Sequence, residues 1–145
     1  MKERRILLVE DRQDDIDLTL RSLKENKITN KVDVARDGAE ALDYIFATGA
    51  YSDRNIEDLP SVVLLDIKLP KVDGMEVLRR IREDKRTKTL PVVILTSSKE
   101  EKDLINGYAI GCNSYVRKPV EFEEFSKAIR DLGLYWLLLN EPPVA

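Results

Sequence analysis

The sequence predicts an α/β fold: a doubly wound parallel sheet of five strands with helices on both faces. Three nearly continuous apolar runs have the pattern of strands that are buried on both sides. Helical patterns follow the strands in strict alternation, and parallel strands joined by right-handed crossovers place those helices against the sheet. Ligands of such sheets bind at the carboxyl ends of the strands, so chemistry is expected there.

The strands differ in how clearly they are marked. The apolar runs at 6–9, 62–65 and 92–95 predict the buried centre of the sheet. The segments at 31–35 and 114–117 are short and more mixed, which is typical of strands nearer the edges.

Helices are predicted where apolar residues recur at helical spacing. The successive sets are Ile16, Leu20 and Leu23; Ala41, Leu42 and Ile45; Val77, Leu78 and Ile81; and Leu104, Ile105 and Tyr108. A last helix is predicted near 121–139 and carries Phe122, Phe125, Ile129 and Leu132 on one face. Each strand is thus followed by a helix.

A single domain over residues 1–145 is expected, without an output domain, because no linker or internal repeat divides the chain. The segment 47–60 is interpreted as a surface loop insertion, with a partner contact as the alternative. Residues 134–139 are apolar on nearly every side of the last helix. Two hypotheses remain for them: packing on the chain's own sheet, or a homodimer contact with the fourth helix or fifth strand.

Composition excludes several classes of function. The net charge is −3 and the basic residues are scattered among acids, so no nucleic-acid partner is predicted. One cysteine, and an apolar start too short to span a bilayer, favour a cytoplasmic protein without membrane contact. The chain has no histidine, so its chemistry must rest on carboxylates, lysine, serine and threonine.

Three carboxylates are predicted to meet at one edge of the sheet. Glu10 and Asp11 follow the first strand, and Asp66 follows the third. Taken singly, each acid is explained as a helix cap or a solvated turn residue. Together they would repel one another unless a cation lay between them, and oxygen ligands with open positions indicate Mg²⁺ and phosphate chemistry.

A hydroxyl and an ammonium group are predicted at the same edge. Thr96 ends the fourth strand, and Lys118, followed by Pro119, comes directly after the fifth. A capping hydroxyl and a solvated lysine are the plain explanations of each residue alone. The coincidence of all these groups at strand ends is what indicates a site.

These residues resemble the receiver domains of two-component response regulators over nearly the whole chain. The matching strings are Ile-Leu-Leu-Val-Glu-Asp at 6–11, Leu-Leu-Asp at 64–66, Leu-Pro at 69–70, Asp-Gly at 73–74, Val-Ile-Leu-Thr at 93–96 and Lys-Pro at 118–119. The resemblance implies the flavodoxin-like receiver fold. It also implies a phosphorelay role in which a sensor histidine kinase or phosphotransfer protein phosphorylates the chain, which then acts on a further protein.

The resemblance assigns a role to each site residue. Asp66 is similar to the phosphoacceptor, and Glu10 and Asp11 to the acidic pair that binds Mg²⁺ directly or through water. The backbone carbonyl of Lys68 resembles a further metal ligand. Thr96 and Lys118 resemble the groups that bind the phosphoryl oxygens.

The resemblance also implies a switch. Tyr115 is similar to the aromatic residue that changes rotamer on phosphorylation, and the face built from the fourth helix, fifth strand and fifth helix is the expected readout. Lys118-Pro119 is similar to the family's cis peptide. By the resemblance, Lys68 and Ser98 occupy positions that tune the loss of the phosphoryl group. For the Lys68 side chain two explanations stay open: contact with the phosphoryl group or exclusion of attacking water, and a solvated charge.

Rival functions lack residues that they need. Haloacid-dehalogenase-like enzymes use a second acid two residues after the nucleophile, where this chain has Lys68, so no enzyme is expected beyond self-phosphorylation and self-dephosphorylation. No G-x-G-x-x-G or Walker A loop supports nucleotide binding. A degenerate receiver acting as a fixed interaction domain is disfavoured by the intact site. The loop at 47–60 and the aromatic C-terminal segment resemble small stand-alone receivers that serve bacterial phytochromes.

Overall fold

The computed structural model describes residues 4–25, 27–117 and 127, and its strands and helices alternate along the chain. The elements are β1 (Ile6–Val9), α1 (Gln13–Glu25), β2 (Val32–Ala35), α2 (Gly38–Phe46), a 3₁₀ turn (Gly49–Tyr51), β3 (Val62–Leu65), α3 (Gly74–Glu83), β4 (Val92–Thr96), α4 (Glu101–Ile110) and β5 (Ser114–Arg117). All neighbouring strands are parallel, in the order β2-β1-β3-β4-β5. The predicted fold class is confirmed.

The core forms two layers because successive side chains of a strand point to opposite faces of the sheet. Along β1, Ile6 and Leu8 belong to one apolar cluster, and Leu7 and Val9 belong to the other. α1 covers the first cluster, whereas α2 and α3 cover the second. Helices therefore lie on both faces, as the continuous apolar runs predict.

The strands are buried to different degrees, as their composition predicts. Every residue of β1, β3 and β4 is buried. In β2 only Ala35 is buried, and β5 has no fully buried residue. The mixed segments are thus the two edge strands, and the apolar runs form the centre.

The insertion at 47–60 packs against α2. The Tyr51 hydroxyl donates a hydrogen bond to Glu40 Oε2 at 2.7 Å, and the rings of Tyr44 and Tyr51 meet edge to face with centroids 5.2 Å apart. The Arg54 guanidinium lies 4.1 Å from the centroid of the Tyr44 ring. These contacts tie the loop to the protein surface, and its role with a partner stays a hypothesis.

α4 is a helix as predicted, but two of the apolar residues that predicted its buried face are exposed to solvent. Ile105 and Tyr108 are 60% and 53% exposed, whereas Gly107 is the buried residue of this helix. A Cβ atom at position 107 would lie 3.0 Å from Cδ1 of Ile94, so glycine lets α4 approach β4 closely. Sequence periodicity missed this face because glycine carries no apolar side chain.

Two predicted features lie outside the described residues: the peptide between Lys118 and Pro119, and, apart from Lys127, the helix near 121–139 with its proposed dimer contact. Within the described part of the chain, no helix combines the length and apolar character needed to cross a bilayer.

Candidate functional site

Backbone pairing of the central strands places two acids side by side. Val9, the last residue of β1, is in register with Leu65, the last residue of β3. Beyond this pair, the amide of Asp66 donates to the Val9 carbonyl at 3.0 Å, and the amide of Glu10 donates to the Ala35 carbonyl at 3.0 Å. Sheet hydrogen bonds therefore hold the backbones of Glu10 and Asp66 at the carboxyl edge.

The three predicted carboxylates form one cluster. Oxygen atoms of Glu10, Asp11 and Asp66 all lie within 4.8 Å of one another. Glu10 and Asp66 are only 2% and 5% exposed, while Asp11 is exposed to solvent. Like charges at this separation and partial burial repel one another, and a divalent cation between them relieves the repulsion.

The donor set of this cluster fits a hard cation. Every side-chain ligand atom is a carboxylate oxygen, the type that Mg²⁺ and Mn²⁺ accept. The amide of Arg12 donates to Glu10 Oε1 at 3.3 Å, and the amide of Lys68 donates to Asp66 Oδ1 at 3.1 Å. These contacts orient the carboxylates, so the acidic cluster can hold a metal ion.

Gly74, the first residue of α3, lies close to the backbone of Asp66 and Ile67. Its amide donates to the Ile67 carbonyl at 3.2 Å, and a Cβ atom here would lie 2.3 Å from the Asp66 carbonyl oxygen. Gly74 is not among the described residues with positive φ. Close approach of two backbone segments, and not a left-handed conformation, is therefore the reason for glycine at this position.

Thr96 lies at the end of β4, on the strand next to that of Asp66. It is fully buried, and its Oγ1 accepts a hydrogen bond from the Ser98 amide at 3.2 Å. The predicted hydroxyl therefore stands at the correct edge of the sheet. Lys118, predicted to stand beside it, lies outside the described residues.

Tyr115 lies on β5 with its hydroxyl oxygen buried. Burial raises the pKa of the phenol, and the negative charge of nearby Asp103 raises it further. A Cβ atom at Gly107 would lie 3.2 Å from Tyr115 Cδ2, so the ring packs under α4. The predicted switch residue is thus partly buried and packs against α4, part of the predicted readout face.

Sequence reasoning missed one acidic residue at this edge. Asp103, in the first turn of α4, accepts a hydrogen bond from the Ser98 hydroxyl at 2.6 Å. The same oxygen, Oδ2, lies 3.7 Å from Lys68 Nζ. In the sequence, Asp103 is only an acid that suits a helix dipole, and no local signal marks its contact with residues 5 and 35 positions away.

The family of the chain follows from residues 6–130, which match the response regulator receiver domain. The chain belongs to this family, and its members are phosphoacceptor signalling domains of two-component systems. Response regulator Rcp1 of Synechocystis sp. (strain ATCC 27184 / PCC 6803 / Kazusa) is 36% identical over 97% of this chain and 93% of its own length.

Solved structures of stand-alone receivers are similar over the whole chain. The phosphorylated cyanobacterial phytochrome response regulator RcpA has a TM-score of 0.89 and 33% identity, covering 98% of this chain and 99% of its own. The Mn²⁺-bound form of response regulator Rcp1 has a TM-score of 0.87 and 34% identity, covering 97% and 99%. The bacteriophytochrome response regulator AtBRR is 54% identical with a TM-score of 0.78, covering 97% and 100%.

Proposed function

We propose that the protein is a response regulator whose Asp66 accepts a phosphoryl group in a Mg²⁺-dependent reaction. The observation that carries this proposal is the cluster of Glu10, Asp11 and Asp66 at the carboxyl edge of the sheet. Membership of the receiver family supports it, as does the Mn²⁺ bound by the similar Rcp1 structure.

In the proposed reaction, a carboxylate oxygen of Asp66 attacks the phosphorus atom of the donor. An O–P bond forms, giving an acyl phosphate, while the bond from phosphorus to the donor's imidazole nitrogen or carboxyl oxygen breaks and its electrons stay with the donor. Glu10 and Asp11 would hold Mg²⁺, with the carbonyl of Lys68 as a further ligand. When bound, Mg²⁺ would supply positive charge that offsets the charge of the transferring oxygens.

Thr96 and Lys118 are proposed to bind the phosphoryl oxygens, by a hydrogen bond and an ion pair respectively. Drawing Thr96 inward would vacate space for the ring of Tyr115, which packs beside Gly107 of α4. The surface of α4, β5 and the following helix is then the proposed readout. Its exposed Ile105 and Tyr108 supply apolar contact area for a target protein.

The donor is proposed to be a sensor histidine kinase of the bacterial phytochrome type, or a phosphotransfer protein that serves one. The names of AtBRR and RcpA associate those two relatives with phytochromes. Output through a protein target in the cytoplasm, without nucleic acid or membrane, and a homodimer through the C-terminal helix region complete the hypothesis. Catalysis beyond the protein's own phosphorylation and dephosphorylation is not expected.

The central experiment is phosphorylation of the purified full chain by acetyl phosphate, followed by intact mass. We expect one phosphoryl increment with Mg²⁺, and none with a chelator or in Asp66→Asn. Asp53→Asn is the matched control, because it makes the same change at an exposed position of the insertion. An equal increment in Asp66→Asn would assign the acceptor elsewhere, and an unmodified wild type would favour a fixed interaction domain.

The donor hypothesis has its own assay. A bacteriophytochrome histidine kinase, phosphorylated on its histidine, is expected to pass the group to the wild type faster than an unrelated sensor kinase does. Equal rates from both kinases would remove the phytochrome assignment and leave the acceptor assignment intact.

A further inference from the structure

Three polar side chains connect the acceptor edge to the first turn of α4. Asp103 Oδ2 accepts a hydrogen bond from the Ser98 hydroxyl at 2.6 Å and lies 3.7 Å from Lys68 Nζ. We call Lys68, Ser98 and Asp103 the α4 latch. Lys68 comes from the β3–α3 loop, whereas Ser98 and Asp103 come from the loop after β4 and the start of α4, so the latch joins two regions that are distant in sequence.

Backbone amides of two latch residues also contact the proposed acceptor, Asp66, and the proposed phosphoryl-binding residue, Thr96. The Lys68 amide donates to Asp66 Oδ1 at 3.1 Å. The Ser98 amide donates to Thr96 Oγ1 at 3.2 Å. Movement of Asp66 or Thr96 can therefore reach Lys68 or Ser98, whose side chains contact Asp103, through these backbone hydrogen bonds.

The two contacts of Asp103 differ in strength. Its hydrogen bond from Ser98 is short and charge-assisted, and the Asp103 side chain is 14% exposed. The Lys68 side chain is 59% exposed, and an ion pair of this kind is weak. The ion pair of Lys68 with Asp103 is thus the contact that breaks first when a more highly charged anion binds the ammonium group.

Phosphorylation of Asp66 would create such an anion. A phosphoryl group carries about −1.5 to −2 charges at neutral pH, against the single charge of a carboxylate. It would form within reach of the loop that carries Lys68, since that residue's amide already contacts the Asp66 carboxylate.

We propose that Asp103 is a positioning residue that holds the Lys68 ammonium group and the start of α4 in the unphosphorylated protein, and that phosphorylation of Asp66 transfers this ammonium group to the phosphoryl oxygens. The proposal rests on the proposed role of Asp66 and names how α4 senses it. Loss of the Lys68 contact leaves the Asp103 carboxylate with its hydrogen bond from the Ser98 hydroxyl. The buried hydroxyl of Tyr115 lies near the same carboxylate, which links the latch to the readout face.

Linkage sets the sign of the expected effect. If phosphorylation must break the pair between Lys68 and Asp103, that pair opposes phosphorylation, and removing it favours the phosphorylated state by the same factor. The strength of exposed ion pairs corresponds to a change of about two- to fivefold. A released ammonium group also stays with the phosphoryl oxygens and covers them from attacking water.

The test follows decay of the phosphorylated mass after acetyl phosphate is removed from the full chain. Asp103→Asn keeps an acceptor for Ser98 and is expected to lengthen the lifetime about two- to fivefold. Glu101→Gln removes the same charge from the same helical turn, at an exposed residue, and is expected to leave the lifetime unchanged. In a Lys68→Gln background, Asp103→Asn is expected to have no effect.

The outcomes separate the latch from the proposed function. A wild type that takes no phosphoryl group overturns both. A phosphorylated wild type whose lifetime equals that of Asp103→Asn overturns the latch alone, as does a lengthened lifetime that persists without Lys68. A lengthened lifetime that requires Lys68 supports the latch, because a merely structural role of Asp103 would not depend on that side chain.

Discussion

Both ends of the sheet carry charged side chains, but at the amino ends the charge has partners within the chain, whereas at the carboxyl ends like charges lie together. At the amino ends of β4 and β5, Arg82 is surrounded by oxygen acceptors. It donates to the carbonyls of Gly111 and Leu90 at 2.7 Å each and of Lys88 at 3.1 Å, and to Asn113 Oδ1 at 2.8 Å. Burial lowers the pKa of this guanidinium, and its several hydrogen bonds offset the cost of burial.

At the carboxyl ends, Glu10, Asp11 and Asp66 bring three negative charges within 4.8 Å. This difference separates charged residues that stabilise the fold from charged residues that bind a ligand. A charge whose partners all come from the chain stabilises the fold, whereas a cluster of like charges leaves a requirement that a ligand must meet.

The carboxyl end should depend on its ligand. Glu10→Gln removes one charge of the cluster, and we expect about 10–100 times more Mg²⁺ to be needed for half-maximal phosphorylation. A magnesium titration with acetyl phosphate, read by intact mass, measures this. The exposed Glu83→Gln is the matched control. An unchanged titration in Glu10→Gln would mean that the cluster does not bind the metal.

The amino end should govern stability without governing phosphorylation. Arg82→Met leaves several carbonyl groups without their donor, and we expect it to lower the free energy of unfolding by about 2–3 kcal/mol. Urea unfolding gives this value. Phosphorylation of the folded variant should match the wild type, and a lost phosphoryl increment in a well-folded variant would show that the two ends are coupled.

Asn113 should have a smaller effect at the same end. Its Oδ1 accepts from Arg82 and from the Val92 amide at 2.8 Å, which anchors the start of β4. We expect Asn113→Ala to cost about 1–2 kcal/mol in urea unfolding. The variant that carries both Asn113→Ala and Arg82→Met should lose less stability than the sum of the two single losses, because both substitutions remove the same hydrogen bond. Strict additivity would contradict this shared contact.

The alkylation rate of Cys112 measures whether the amino end of the sheet changes conformation on phosphorylation. Cys112 is the only cysteine of the chain and is 7% exposed, and burial raises the pKa of its thiol. Alkylation should therefore be much slower in the native protein than in urea. We expect phosphorylation to leave the native rate unchanged, because Arg82 holds the neighbouring loop. A faster rate on phosphorylation would place this end within the switch.

Much of the candidate site could be predicted because its positions follow from local patterns. Apolar runs identify β1, β3 and β4 without knowledge of their neighbours. Once those strands are parallel, the residues after them must share an edge, which brings Glu10 and Asp66 together. The roles assigned to these residues, and to Lys118 and Tyr115, stay predictions.

The order of strands and helices along the chain, the buried centre of the sheet and the edge at which its acids gather all follow from local sequence patterns. The approach of Gly107 to β4, the contacts of Arg82 with the α3–β4 and α4–β5 loops, and the contact between Asp103 and Lys68 depend on tertiary packing and are not visible in the sequence. The physical reason is that periodicity is a property of one segment, whereas the rotation of a helix and the partners of a long side chain depend on every segment packed against it.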